Sequence, residues 1–398
     1  MRRREFLSSV AATGLGVCAA GRAGVAPGLE LFAATVPDPD GHHPALRLKG
    51  DWLVIAISDG RHAGLGEISH SNDDTACLLR ARELFAAHVA GRRPELKLLD
   101  ELARGPFATA RDFPTATAIS GLDQALHDLI AQREGVPVWQ LFTPEPVQDS
   151  VSCYLSTNRA LRNRAPADFV QSTDAALALG VPAVKITPFE AVNRGGNQLV
   201  QAAEGFTRLD AVRAAHPSVS IRVDCHERFT PENAVALLPR FERYTLEWLE
   251  EPCPPGPILA ELCARTQMPL AVGELFFGEA SFRELMEQRR ADVVMPDPKH
   301  VGGIRSLVHV CRLAETLGTH VSPHNPSGPI ATRAAVHAAA ISSAVTSIEL
   351  ILTSDPQRQP GRELLAGGRL RVPRGPGWGL SLEKLSAETG ARFRALAG

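Results

Sequence analysis

Three carboxylates close three successive strand-like runs. Asp224 ends Ile221-Arg222-Val223-Asp224, Glu250 ends Leu246-Glu247-Trp248-Leu249-Glu250, and Glu274 ends Leu270-Ala271-Val272-Gly273-Glu274. They stand 26 and 24 residues apart, each interval long enough for one strand and one crossover helix. In a barrel of parallel strands, consecutive strands deliver their C-terminal residues to one rim. Three carboxylates crowded there repel one another unless a cation joins them. An all-oxygen set favours a hard ion such as Mg²⁺.

Later strand ends add a base. Val294-Met295-Pro296-Asp297 and Val321-Ser322-Pro323-His324-Asn325 close neighbouring runs, so Asp297 and His324 project from the same rim. A carboxylate hydrogen-bonded to an imidazole fixes its tautomer and raises its basicity near neutral pH. His226 lies two residues beyond Asp224, and strand alternation puts it on the same side. It can serve as ligand, acid or packing residue. Three carboxylates already supply the usual protein share of a Mg²⁺ shell, which favours the acid. Lys185, near the end of a second strand, is a candidate to orient a substrate carboxylate, and Glu349 stands on the last strand.

The elements that must position these residues alternate. Strand candidates are 151–156, 182–187, 220–225, 244–249, 269–273, 291–296, 319–323 and 346–351. Helical runs such as Asp174–Leu179, Leu199–Ala214 and Pro231–Leu238 fall between them. Eight strands separated by helices predict a modified (β/α)8-type TIM barrel over residues 149–355, in the α/β class. A doubly wound open sheet would gather its site at a switch point, not on three adjacent strands. Residues 45–148 read differently. A strand over Leu46–Ile57, a turn at Ser58-Asp59-Gly60 and the return Gly64-Leu65-Gly66-Glu67 precede a helix over Thr117–Arg133 with apolar residues at the 3.6 period. This is an α+β capping unit. The Gly/Pro-rich tail, 356–398, is expected to return to it.

The 398 residues carry a net charge of −2, with no long basic run, which argues against a nucleic-acid partner. No apolar stretch approaches a bilayer span, so no membrane partner is expected. Seven cysteines without CxxC spacing read as free thiols, and Cys225 should point away from its neighbour Asp224 into packing. Residues 1–35 read as an export signal: Arg3-Arg4-Glu5-Phe6-Leu7 matches a twin-arginine pattern, and Ser8–Ala20 forms a weakly apolar core. A periplasmic or exported location is the expectation, and a cytoplasmic one if that segment is not functional. Cleavage is expected near Ala19-Ala20 or Ala33-Ala34.

Taken together, the pattern resembles the enolase superfamily, in its mandelate racemase-like branch. Gly64-Leu65-Gly66-Glu67 and Gly121-Leu122-Asp123-Gln124-Ala125-Leu126-His127-Asp128-Leu129 look like its capping domain. Leu249-Glu250-Glu251-Pro252, Gly273-Glu274, Gly302-Gly303-Ile304 and Pro376-Gly377-Trp378-Gly379 look like its barrel and C-terminal hallmarks. The resemblance implies one Mg²⁺ per subunit on Asp224, Glu250 and Glu274, a small-molecule carboxylate substrate, abstraction of the proton α to that carboxylate, and a homo-oligomer. Two departures narrow the chemistry. Members with a Lys-x-Lys pair on the second strand use its second lysine as a base, where this chain has Thr187. The muconate-lactonising branch places a lysine where this chain has Asp297. Lysine–lysine and two-base racemase mechanisms are therefore disfavoured.

One base, His324 with Asp297, and one second histidine, His226, remain. That combination, with Asp224-Cys225-His226-Glu227-Arg228-Phe229, resembles the acid-sugar dehydratases of the galactonate and mannonate type. The resemblance implies C2 proton removal by His324, protonation of the departing C3 hydroxyl by His226, and a 2-keto-3-deoxy product. Tyr154, Asn158 and Arg159, near the first barrel strand's end, are candidates for contacting sugar hydroxyls, with packing the equal alternative for Tyr154. Specificity is expected in capping loops around His62–Ala63 and Ser69–Asp73, and in barrel loops 157–166 and 187–196. Two other readings stand: an epimerase or cycloisomerase of a hydroxy or anhydro-sugar acid, and a non-catalytic sugar-acid binding protein.

Overall fold

The computed structural model describes residues 27–35, 52–69, 73–110, 112–161, 163–353 and 360–396. An antiparallel cap sheet holds β1 (Gly28–Thr35), β2 (Trp52–Ser58) and β3 (Ala63–Glu67). Three cap helices follow, Asp74–His88, Leu96–Arg104 and Phe113–Glu134. The last is the best built. Asp112 caps it by accepting the Thr115 amide, Pro114 lies in its first turn, and Gly135 stops it in the left-handed region at φ 70°.

The barrel strands are β4 (Ser150–Ser156), β5 (Ala183–Ile186), β6 (Ser220–Asp224), β7 (Trp248–Glu250), β8 (Leu270–Val272), β9 (Val293–Val294), β10 (His320–Val321) and β11 (Ser347–Ile351). They pair in parallel, each with the next, from β4 to β10, and β11 pairs back onto β4. Closure comes where the Val321 amide donates to the Ala344 carbonyl at 2.8 Å and the Thr346 amide to the Val321 carbonyl at 3.0 Å. Each of the first seven strands is followed by a helix, and after β11 the chain runs into the tail. The tail first adds the hairpin β12 (Leu365–Ala366) and β13 (Arg369–Arg371), whose second strand pairs antiparallel with the start of β4. After the helix Leu382–Thr389 it ends as β14 (Arg392–Ala395), the outermost strand of the cap sheet beside β1. No helix among the described residues is long and apolar enough to cross a membrane.

Two differences from the sequence reading concern the N-terminal region. Residues 28–35 are not leader but β1, paired along its length with β2, and Leu31 and Ala33 are buried in the cap core. Cleavage at Ala33-Ala34 would cut that strand. The twin-arginine motif and Ala19-Ala20 lie outside the described residues, as do 46–51 of the strand expected at Leu46–Ile57. The interior reads as expected. Cys225 is fully buried in the main core, with burial pushing its thiol well above the ordinary range.

The cap motifs have packing causes. A Cβ at Gly64 would lie 2.0 Å from the Ala125 carbonyl oxygen, and one at Gly66 would lie 1.9 Å from that of Gly121. Both glycines are needed for β3 to lie directly on the helix backbone. Glu67 then reaches into the barrel. It is fully buried and accepts the amides of Gly328 (2.7 Å), Ile330 (3.2 Å) and Ala331 (3.0 Å), at the start of the helix Pro329–Ile341. A carboxylate there satisfies otherwise orphaned donors and complements the helix dipole. Glu67→Gln turns one acceptor into a donor facing those amides. We expect it to destabilise the fold by about 1–3 kcal/mol, read as a lower urea midpoint at unchanged slope. An unchanged midpoint would show that this carboxylate does not hold cap to barrel.

Candidate active site

The rim is organised around a buried ammonium. Lys185, next to last in β5, places Nζ 2.6 Å from Glu250 Oε1, 2.9 Å from Glu349 Oε1 and 3.5 Å from Asp224 Oδ2. All four side chains are nearly or completely inaccessible. The remaining oxygens are held by specific donors. Glu250 Oε2 accepts the Trp248 indole N–H at 2.9 Å, Glu349 Oε2 accepts the Asn325 amide at 3.0 Å, and Asp224 Oδ1 accepts the His226 amide at 2.9 Å.

Glu274 completes the set on the next strand. One carboxylate oxygen from each of Asp224, Glu250 and Glu274 lies within 4.8 Å of the others. Asp224 Oδ2 and Glu274 Oε2 are buried and accept no hydrogen bond. Two orphaned buried carboxylate oxygens in an all-oxygen cluster fit a hard divalent cation. Protonation tells the same story. Burial, only partly offset by Lys185, and the charges of Asp224 and Glu349 push Glu250 up to about 8. Burial and the charges of Glu251 and Asp224 push Glu274 well above its usual range. The cluster cannot ionise completely without more positive charge.

Two imidazoles approach this cluster from opposite sides. His324 follows the seventh barrel strand and His226 the third, half a barrel apart. His324 Nδ1 is 2.9 Å from Asp297 Oδ2, and its Nε2 lies 3.2 Å from Glu274 Oε2 and 3.9 Å from Glu349 Oε2. His226 Nε2 lies 2.9 Å from Asp224 Oδ2. The contacts to Asp224 and Glu274 are close but lack hydrogen-bond alignment, so those oxygens stay free for a cation. For His226, burial would lower the pKa, but the Asp224 charge beside Nε2 and the Glu190 hydrogen bond at Nδ1 push it up to about 12. An imidazolium there is a proton donor.

Lys299, Glu190 and Glu251 belong to the site and were not singled out from the sequence. Lys299 is fully buried, with Nζ 2.5 Å from Asp297 Oδ2 and its amide donating to Oδ1 at 2.8 Å. Burial would raise Asp297, but the Lys299, His300 and His324 charges hold it far below the usual carboxylate range, so it stays ionised. The signal was available: Lys299 lies two residues past a strand-end carboxylate. Glu190, inside the 187–196 loop, faces His226 Nδ1 at 2.5 Å. Glu251 adopts φ 39° and accepts the Gly273 amide at 3.2 Å, which braces the turn that carries Glu274.

The first-strand candidates divide. Tyr154 is fully buried, edge-on to Trp248 at 5.3 Å, with the Arg222 guanidinium over its ring at 4.4 Å. It clusters with Ala183, Trp248, Ala271, Val293 and Met295, each two to four positions before Lys185, Glu250, Glu274 or Asp297. Of the two roles open to Tyr154, the geometry fits packing in the barrel interior, beside Glu349 in the strand register. Asn158 and Arg159 are half-buried on the following turn, and Asn158 Oδ1 accepts Arg164 Nη1 at 2.6 Å. Arg164 also donates to Thr187 Oγ1 at 3.1 Å, so it ties the loops after β4 and β5 together.

Comparison with known proteins places this geometry in context. The model of the "enolase C-terminal domain-like" family matches residues 168–386, and that of the "mandelate racemase / muconate lactonizing enzyme, N-terminal domain" family matches residues 52–143. The chain is 27% identical over 361 residues to a D-xylonate dehydratase of Haloferax volcanii, covering 86% of this chain and 84% of that one. It is 29% identical over 354 residues to a D-galactonate dehydratase of Ralstonia nicotianae, covering 85% and 90%. Among solved structures, a mandelate racemase/muconate lactonizing enzyme from Jannaschia sp. CCS1 superposes with a TM-score of 0.77 at 25% identity, covering 92% of this chain and 97% of that one.

Proposed function

We propose, because the chain belongs to the mandelate racemase / muconate lactonizing enzyme family of the enolase superfamily, that it is a Mg²⁺-dependent sugar-acid dehydratase giving a 2-keto-3-deoxy acid. The observation that carries this reading is the pair of imidazoles on opposite sides of the carboxylate cluster. His324 pairs with Asp297 and is read as the base, and His226 pairs with Glu190 and is read as the acid. Names of relatives lend support, since D-xylonate, D-gluconate and D-galactonate dehydratases are among them.

Mg²⁺ held by Asp224, Glu250 and Glu274 would bind the substrate carboxylate and absorb the charge that develops as its α-proton leaves. His324 removes that proton from C2 through Nε2, while Asp297 fixes Nδ1. His226 gives a proton to the C3 hydroxyl, which departs as water. The resulting enol loses its C2 hydroxyl proton and takes one at C3, becoming the keto acid. Lys185 keeps a positive charge beside Glu250 and Glu349. Burial would lower its pKa, but the charges of Glu250, Glu349 and Asp224 raise it well above the ordinary range. Its ion pairs with Glu250, Glu349 and Asp224 disfavour it as the second base that a two-base racemase needs. This argues against the isomerase reading.

The test is a screen of aldonic and aldaric acids with semicarbazide trapping of 2-keto products. A keto signal that EDTA abolishes and Mg²⁺ restores is the expected outcome. Proton exchange at C2 in deuterated water without any keto product would replace dehydration by isomerisation.

A further inference from the structure

The two imidazoles are held alike. His324 has Nδ1 on a carboxylate and Nε2 over the cluster. His226 repeats the arrangement: Nδ1 is 2.5 Å from Glu190 Oε1, and Nε2 lies over Asp224. Glu190 comes from the loop after β5, a different strand from the one that carries His226. Its other oxygen, Oε2, accepts Arg228 Nη2 at 2.8 Å. The backbone needs such help. His226 and Glu227 both adopt left-handed φ, 45° and 54°, a conformation with little intrinsic preference in non-glycine residues. The His226 side chain is 31% exposed, so packing alone does not fix its ring.

We propose that Glu190 is a positioning residue for the elimination step. Through Nδ1 it locks the His226 ring so that Nε2 faces the leaving hydroxyl, and Arg228 locks Glu190. The site then contains two carboxylate–imidazole pairs, Asp297–His324 for the C2 proton and Glu190–His226 for the C3 oxygen. This rests on the reading of His226 as the acid. A carboxylate behind an imidazole fixes its tautomer and direction, and loss of such a partner reduces function about 10- to 100-fold in comparable supporting shells.

The experiment pairs D-gluconate, D-galactonate and D-xylonate with their 3-deoxy-3-fluoro counterparts. Elimination from the fluoro acids loses the C2 proton and fluoride, and fluoride leaves without being protonated. In Glu190→Gln, dehydration should fall about 10- to 100-fold in kcat, while fluoride release and C2 proton exchange stay near wild type. Arg228→Met should show the same split, more weakly. Proton NMR of protein labelled with [¹⁵N]histidine gives a readout without turnover. A far-downfield Nδ1 proton, assigned to His226 by its absence from His226→Asn, should vanish in Glu190→Gln. Equal loss with hydroxy and fluoro substrates, or an unchanged Nδ1 resonance, overturns the proposal. If His226→Asn shows the selective loss and Glu190→Gln does not, only the role of Glu190 falls. If His226→Asn itself dehydrates normally, the acid reading falls and this inference with it.

Discussion

His324→Asn should reduce kcat/KM for dehydration by about 10³-fold or more and stop C2 proton exchange in deuterated water. General base catalysis by a positioned imidazole is worth about 10²- to 10⁴-fold, and the upper part of that range applies because no second free base faces His324's side of the cluster among the described residues. Lys185 is bound among three carboxylates, and His226 is on the opposite side of the cluster. Asn325, beside His324, donates its amide to Thr332 Oγ1 at 2.7 Å and has no basic nitrogen. Asp297→Asn should reduce the same rate less, because the ring remains but loses its Nδ1 partner and Lys299 loses its counter-ion. Exchange at C2 is read by NMR and dehydration by keto-acid formation. Wild-type exchange in His324→Asn would end the proposed role of this histidine.

The strand ends were legible because a parallel barrel turns sequence order into spatial order. Once a residue ends a strand, its rim is fixed, and Asp224, Glu250 and Glu274 could be placed from spacing alone. Depth along the barrel was not legible in the same way. Alternation says that Tyr154 points inward, but the stagger between strands decides which layer it joins. Here that layer is Trp248 and Arg222. Loop residues were harder still. Glu190 reaches His226 because the backbone turns left-handed at His226 and Glu227, and no local pattern announces that turn. The missed strand β1 has a different cause. Gly28–Thr35 is short and alanine-containing like the end of a leader, and its partners β2 and β14 lie across a long connection and at the far end of the chain.

Lys185→Met should be the most damaging change to the fold at this site. The ammonium is the shared counter-ion of Glu250, Glu349 and Asp224, and removing one partner of a buried ionic group costs roughly 3–5 kcal/mol because the charges left behind are uncompensated. The pH dependence gives the sign. Glu250 sits near 8 in the folded chain against an ordinary value of 4.5, and Glu274 is raised as well. Between those limits the folded state binds more protons than the unfolded state. Stability from these two groups is therefore fully present below the unfolded value and is lost as pH rises through the folded one. Asp224 and Glu349 are shifted down and act in the opposite direction, weakening the fold only as pH falls through the acid range. With EDTA present, the wild-type urea midpoint should fall between pH 5 and 8, and Lys185→Met should steepen that fall. Saturating Mg²⁺ should flatten the dependence in both proteins, since a cation takes over the compensation that protons provide at low pH. The gain from Mg²⁺ should be larger at pH 8 than at pH 6, and larger in Lys185→Met than in wild type provided the three carboxylates still hold the ion. A variant as stable as wild type at pH 8 in EDTA would show that the carboxylates do not depend on this lysine. Its place at the centre of the rim would then have to be explained by substrate orientation alone.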